Sequence, residues 1–145
     1  MQLFKMMKQR GLVPDVIIYS ALISACEKSK HLEQALNIFE EMQKKCVVPN
    51  LVTYSALISV CEKSKQLEQA LKIFEEMQKK GVVPSLITYN ALISTCEKSK
   101  QLEQALKIFD DMQQQGVVPN IITYSALISA CEKSTQSEQE PEHIW

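Results

Sequence analysis

The sequence predicts an all-α fold, an α-solenoid of stacked helix-turn-helix hairpins. The first observation is a fixed period of thirty-five residues, which is typical of repeat architectures. Three residue types recur at this spacing: Tyr19, Tyr54, Tyr89 and Tyr124; Cys26, Cys61, Cys96 and Cys131; Pro14, Pro49, Pro84 and Pro119. The second observation is helical spacing of apolar residues inside each copy. In such a solenoid each unit packs on its neighbours, and no central core is needed.

The second copy, residues 51–85, shows how each unit is built. Thr53 can cap a first helix, because its hydroxyl can bond an unpaired N–H of the first turn. The apolar faces of the two helices are Tyr54, Leu57, Ile58 and Cys61, and then Leu67, Ala70, Leu71, Phe74 and Met77. Both sets fall at i, i+3, i+4 and i+7 spacings, which indicates amphipathic helices. Gly81 ends the second helix, and Pro84 leads into the next copy.

The period divides the chain into three full copies and two partial ones. The full copies are residues 16–50, 51–85 and 86–120. Residues 1–15 align with a second helix alone, and residues 121–135 with a first helix alone. Pro141 interrupts the next helix, so we expect residues 136–145 to form a frayed polar tail. An alternative for the N-terminus is a short organelle-targeting helix, since Lys5, Lys8 and Arg10 precede the first acid.

Composition excludes several classes of function. The net charge of −1 over 145 residues does not favour polyanion binding by the chain as a whole. The period places equivalent cysteines about 8–10 Å apart, beyond disulfide reach, which favours a reducing compartment. His31 and His143 have no cysteine at metal-ligand spacing, and no apolar run approaches the length of a membrane helix. No nucleophile, phosphate-loop or deaminase motif is present. We therefore predict neither an enzyme nor a cofactor site.

The pattern resembles the pentatricopeptide repeat family, of the plain thirty-five-residue type. The resemblance lies in the start at residues 53–58 (TYSALI), the second helix at 67–77 (LEQALKIFEEM) and the closure at 81–85 (GVVPS). It covers residues 1 to about 135. Tetratricopeptide repeats compete, but they have 34 residues and begin with a tryptophan motif. The resemblance implies a right-handed superhelix that binds single-stranded RNA in a mitochondrion or plastid, one base per repeat.

The resemblance also implies two base-reading residues in each repeat, the residue after the tyrosine and the last residue of the unit. The pairs are Ser20 with Asn50, Ser55 with Ser85, and Asn90 with Asn120; Asp15 and Ser125 are halves of incomplete pairs. The second and third copies differ at only eight positions, and two of these are reader positions. A short serine suits a purine, and asparagine can donate to A or C. The expected RNA is therefore about A, then A or another purine, then C or U.

Two further sets of residues follow from the resemblance. The second residue of each unit should wedge between bases: Ile17, Val52, Ile87 and Ile122. In each repeat, a lysine lies eight residues after the base-reading residue that follows the tyrosine, and it should contact a phosphate group of the RNA. These lysines are Lys28, Lys63, Lys98 and Lys133. Each of these lysines follows a glutamate, so a simple solvated helix end is the competing interpretation.

Two questions stay open at the level of sequence. The near-neutral charge is compatible with a protein-interaction scaffold of tetratricopeptide-like type instead of an RNA reader. The partial repeats leave apolar faces without neighbours. This is consistent either with a fragment of a longer array or with self-association through the solenoid ends.

Overall fold

A computed structural model describes residues 2–135, in which every regular element is an α-helix. The N-terminal partial repeat contributes α1 (Gln2–Gln9). The three full copies contribute α2 (Val16–Ser29) and α3 (Leu32–Lys44), α4 (Leu51–Lys63) and α5 (Leu67–Lys79), and α6 (Leu86–Lys98) and α7 (Leu102–Gln114). The last helix is α8 (Ile121–Thr135). This arrangement confirms the predicted all-α hairpin solenoid. The predicted polar tail lies outside the described residues.

The first helices of successive repeats pack directly on one another. α2 contacts α4, α4 contacts α6, and α6 contacts α8. Each second helix packs against the first helix of its own copy and against that of the next copy, as α5 does between α4 and α6. The first helices therefore form one continuous layer, and their N-terminal ends recur side by side at each junction between repeats.

The recurring tyrosines anchor these junctions. Tyr19, Tyr54 and Tyr89 are at most 1% exposed. Each ring meets the phenylalanine of the preceding second helix edge to face, with centroids 5.7 to 5.9 Å apart. Edge-to-face pairs of this kind stabilise beyond the area that they bury. Buried rings cannot stack on nucleic-acid bases, so these tyrosines are structural.

The recurring cysteines are small buried packing residues. Cys26, Cys61, Cys96 and Cys131 are all buried and carry free thiols. Desolvation raises the pKa of Cys61 and of Cys96 to about 12. A thiol with such a pKa stays protonated at neutral pH and is a poor nucleophile.

The N-cap of each first helix is the last residue of the preceding unit, so the expectation that Thr53 caps α4 was wrong. Asn50 is the N-cap, and its side chain accepts the backbone N–H of Thr53. Thr53 instead lies at the third helical position, and its hydroxyl accepts the backbone N–H of Asn50. Reciprocal bonds of this type form a capping box. Ser85 caps α6 in the same way, with Thr88 as its partner.

Candidate nucleic-acid interface

Each predicted reader pair meets at a junction between repeats, and a buried threonine joins its two members. At the first junction, Ser20 Oγ lies 2.7 Å from Thr53 Oγ1, and Thr53 Oγ1 lies 3.1 Å from Asn50 Oδ1. Ser20 and Asn50 are thirty residues apart in the chain. They come together because the first helix of one repeat packs on that of the next.

The second junction repeats this geometry with serine in both reader positions. Ser55 Oγ lies 2.9 Å from Thr88 Oγ1, and Ser85 Oγ lies 3.3 Å from the same atom. All three groups are hydroxyls, each of which can donate or accept. This junction can therefore present either hydrogen-bond donors or hydrogen-bond acceptors to a base.

The third junction is the most tightly bonded of the three. Asn90 Nδ2 donates to Asn120 Oδ1 over 3.2 Å, and Thr123 Oγ1 donates to Asn90 Oδ1. The backbone N–H of Thr123 also donates to Asn120 Oδ1, over 3.1 Å. Both amide oxygens thus accept hydrogen bonds within the cluster, and the groups left for a ligand are mainly N–H donors. Such a surface fits the edge of a base that carries hydrogen-bond acceptors.

Helix capping explains why asparagine and aspartate at the last position of a unit present opposite hydrogen-bonding groups to a base. A helix N-cap must turn one side-chain oxygen toward the first-turn N–H groups. For asparagine the remaining group is a donor amide; for aspartate it is a second acceptor oxygen. Asp15 shows the second case, since its Oδ1 accepts the backbone N–H of Ile18 over 3.0 Å.

The reader positions differ in how much surface they offer. Ser20 is only 4% exposed, whereas Ser55 and Asn90 are half-buried. At the last position, Asn50 is exposed and Ser85 and Asn120 are half-buried. The polar surface of the first junction therefore comes mainly from Asn50. Of the two unpaired readers, Asp15 caps α2 and is exposed, and Ser125 is exposed on α8.

The predicted wedge residues form a line of exposed β-branched side chains beside the reader pairs. Ile17 is 71% exposed, Val52 60%, Ile87 68% and Ile122 59%. Each directly precedes the third helical position and lies two residues after the N-cap reader. Apolar side chains with this exposure are available to contact the faces of bases.

The predicted phosphate-contacting lysines fall into two groups. Lys28 and Lys63 are exposed. Lys98 instead pairs with Glu62 of the preceding repeat over 3.1 Å, and Lys133 pairs with Glu97 in the same way. Ser94 donates to Glu62 over 2.8 Å, and Ser129 donates to Glu97 over 2.9 Å. Lys98 and Lys133 therefore hold repeats together, which the sequence pattern did not indicate.

The ion pair at Glu97 also affects its titration. Burial alone would raise the pKa of this carboxyl, but hydrogen bonds from Lys133 and Ser129 outweigh it, and the net pKa is lowered. The charged form is thus favoured in the folded protein. The resulting stabilisation of the folded state is present at pH values above the ordinary glutamate pKa, and it is lost as the pH falls through the lowered pKa of Glu97.

Sequence reasoning missed the joining role of Thr53, Thr88 and Thr123. All three side chains are fully buried, and each contacts both members of a reader pair. Their spacing of thirty-five residues was a visible signal. Their bonds to Ser20, Ser55 and Asn90 span thirty-three residues, however, and depend on how repeats stack.

No helix within residues 2–135 is long and apolar enough to cross a membrane. The same range contains no group of three or more histidine, cysteine, aspartate or glutamate side chains that could hold a metal ion.

Comparisons with known proteins agree with this architecture. The family model described as the pentacotripeptide-repeat region of PRORP matches residues 1–143. The pentatricopeptide repeat protein PPR10 in complex with an 18-nt psaJ RNA element is 26% identical, with a TM-score of 0.75 over 89% of this chain and 20% of that chain. PPR10 from maize is 28% identical, with a TM-score of 0.74 over 99% of this chain and 20% of that chain.

A third structure shows the fold alone, because its identity is low. The PPR domain of Arabidopsis thaliana protein-only RNase P 1 in complex with tRNA is 20% identical, with a TM-score of 0.79 over 99% of this chain and 79% of that chain. No curated protein matches the chain at a significant level. The chain spans about one fifth of the length of the PPR10 chains. The match over residues 1–143, with the repeat geometry described above, shows that the chain belongs to the pentatricopeptide repeat family.

Proposed function

We propose that this chain binds single-stranded RNA and reads one base at each junction between repeats. The observation that carries the proposal is the recurrence of a hydrogen-bonded reader cluster at three successive junctions. Each cluster lies beside an exposed apolar wedge residue. PPR10, which is 26% identical and has the same fold, was solved in complex with RNA, and this supports RNA as the ligand.

The polarity of each junction supports a base preference. Asn50 offers donors, and the buried Ser20 leaves room, which favours adenine at the first base. The hydroxyls of Ser55 and Ser85 accept several bases, with a purine preferred. Asn90 and Asn120 offer only donors, which favours cytosine and accepts uracil less well. The proposed ligand is thus A, a purine, and then C or U, read in the order of the repeats.

The exposed lysines are proposed to supply the phosphate contacts. Lys63 is exposed and forms no ion pair within residues 2–135, whereas Lys98 is already bound to Glu62. Replacing Lys63 with glutamine should reduce the slope of log affinity against log salt by about 0.7, the value for one phosphate contact on a single strand. Lys98→Gln is the matched control and should change the slope less. Fluorescence anisotropy over a salt series measures both slopes. A larger change for Lys98→Gln would contradict this assignment.

The test of the function itself is fluorescence anisotropy with short RNAs, AAC against GGU in an inert flank, at low and moderate salt. Tighter binding of AAC, weakened by salt, is expected. Absence of binding at low salt by a protein with a helical circular dichroism spectrum would refute the proposal. It would favour the protein-interaction scaffold, whose binding of a neutral peptide does not depend steeply on salt.

Two finer aspects belong to the same proposal. We place the activity in the RNA processing, stability or translation of a mitochondrion or plastid, which cell fractionation with an antibody tests.

We also propose that copies associate through the solenoid ends. Tyr124 is 49% exposed and Ile128 50%, whereas Tyr89 and Ile93, one repeat earlier, are buried. A second copy stacked on α8 would continue the interface that α6 makes with it. Light scattering should then show a mass that rises with concentration, and a monomer throughout would refute it.

A further inference from the structure

We propose that the threonine at the third position of a repeat, found at positions 53, 88 and 123, is a specificity-determining residue that sets which hydrogen-bonding groups the reader pair presents to its base. This inference rests on the proposed RNA-reading function. It concerns positions outside the two reader positions, and these threonines would act through the readers without touching the base.

Thr53, Thr88 and Thr123 are fully buried, so none of them can meet RNA directly. Each hydroxyl nevertheless contacts the first reader of one repeat and the N-cap reader that follows it. A buried polar group must be hydrogen-bonded, and here its partners are the two groups that face the base.

At the third junction, the proton of the threonine hydroxyl can be assigned to one acceptor. A threonine hydroxyl has one proton, and Thr123 Oγ1 already accepts the backbone N–H of Asn120 over 3.1 Å. Asn120 Oδ1 already accepts two N–H groups, from Thr123 and from Asn90. The Thr123 proton therefore goes to Asn90 Oδ1, which is also the nearer oxygen. This bond and the bond from Asn90 Nδ2 to Asn120 Oδ1 together hold the Asn90 amide with its oxygen inward.

The third junction therefore presents mainly hydrogen-bond donors to a base. With the oxygens of Asn90 and Asn120 both engaged, the groups left for a ligand are N–H donors. Cytosine offers two adjacent acceptors on its pairing edge, whereas uracil offers a donor between acceptors. Without the Thr123 hydroxyl, one of the two bonds that hold the Asn90 amide would be lost, and the amide could turn over more readily and present its oxygen. The donor-only surface, and with it the preference for cytosine, would weaken.

Helix capping does not require this threonine. The junction before the first full repeat has Ile18 at the same position. Asp15 still caps α2 there and accepts the backbone N–H of Ile18 over 3.0 Å. A residue without a hydroxyl is thus compatible with the helix start, so capping alone does not account for threonine at the other three junctions.

The experiment compares base preference at the third position of the RNA. Wild-type protein and the Thr123→Val, Thr123→Ser and Thr88→Val variants are titrated with AAC, AAU, AAA and AAG in an inert flank. Thr123→Val should reduce the preference for C by on the order of fivefold, the effect of one hydrogen bond. Thr123→Ser keeps the hydroxyl and should retain the wild-type ratios. Thr88→Val should leave the third-base ratios unchanged.

A further variant and an NMR measurement separate folding from function. Thr123→Ile, which copies the natural junction at Ile18, is the second variant should the valine protein fail to fold. In the free protein, the side-chain amide NMR signal of Asn90 should be shifted from that of an exposed asparagine in wild type, and should move toward it in Thr123→Val.

The outcomes distinguish this inference from the function on which it rests. Unchanged base ratios in a folded Thr123→Val protein, or an equal loss for all four RNAs, would overturn the role of the threonine while leaving RNA reading in place. No RNA binding by the wild-type protein would overturn both. An Asn90 amide signal that is the same in wild type and Thr123→Val would also overturn the proposed locking of that side chain.

Discussion

Replacing Asn120 with aspartate is expected to change the preferred third base from cytosine to uracil. Aspartate can keep the cap, as Asp15 does at the start of α2, so the helix should still form. Its second oxygen would replace the donor amide with an acceptor, which matches the N–H of uracil and opposes the acceptor of cytosine. An unmatched polar group at a buried contact costs about 1–3 kcal/mol, so the ratio of the two affinities should reverse by tenfold or more, as an order of magnitude.

The measurement is anisotropy with AAC and AAU, and the matched control is Asn50→Asp. That variant should alter only the first base, toward guanine, and leave the ratio of C to U at the third base unchanged. Asn120→Asp with an unchanged ratio of the two affinities would refute Asn120 as a reader. If both affinities fell by the same factor, the ratio would also be unchanged, and the loss would be a general electrostatic effect of the added negative charge.

The largest expected effect on stability comes from Leu92→Ala in α6. Leu92 is fully buried, and α6 packs against helices on both sides of it, α4, α5, α7 and α8. Little of the surrounding structure can collapse into the vacated space. Truncations of this kind destabilise by about 2–5 kcal/mol, which corresponds to a fall in Tm on the order of 10 °C for a domain of this size.

Leu22→Ala is the matched control, because Leu22 holds the same repeat position in α2 but is only partly buried. Thermal and urea unfolding followed by circular dichroism compare the two variants. Leu92→Ala should lose clearly more stability. Equal losses would mean that the unfolding of individual repeats, and not the depth of burial, limits stability.

The repeat pattern was sufficient to predict the fold and most of the packing. Tyr54, Leu57, Ile58 and Cys61 occupy one predicted face of α4, and all four are buried. This works because periodicity, turn residues and helix spacing are local properties, and a solenoid adds only contacts between neighbouring units. The same reasoning identified the family through stretches of sequence that repeat three times.

The identity of the helix cap is a case in which local reasoning went wrong. Thr53 and Asn50 are both good capping residues, and either could begin the helix. The chain uses both, with Asn50 outside the helix and Thr53 inside it in a capping box. This difference of three residues matters, because it makes the second reader of each pair a helix cap with one side of its side chain already engaged.

The period, the helices, the buried face of each hairpin and the positions at which bases are expected to be read could all be predicted from the amino-acid sequence alone. The hydrogen-bonding groups that those positions can present depend on the packing of the repeats. This packing buries Ser20 against Thr53, turns the Asn90 oxygen toward Thr123, and binds Lys98 to Glu62 of the preceding repeat. These contacts join residues about one repeat apart. They depend on how neighbouring first helices stack, which no single thirty-five-residue unit encodes.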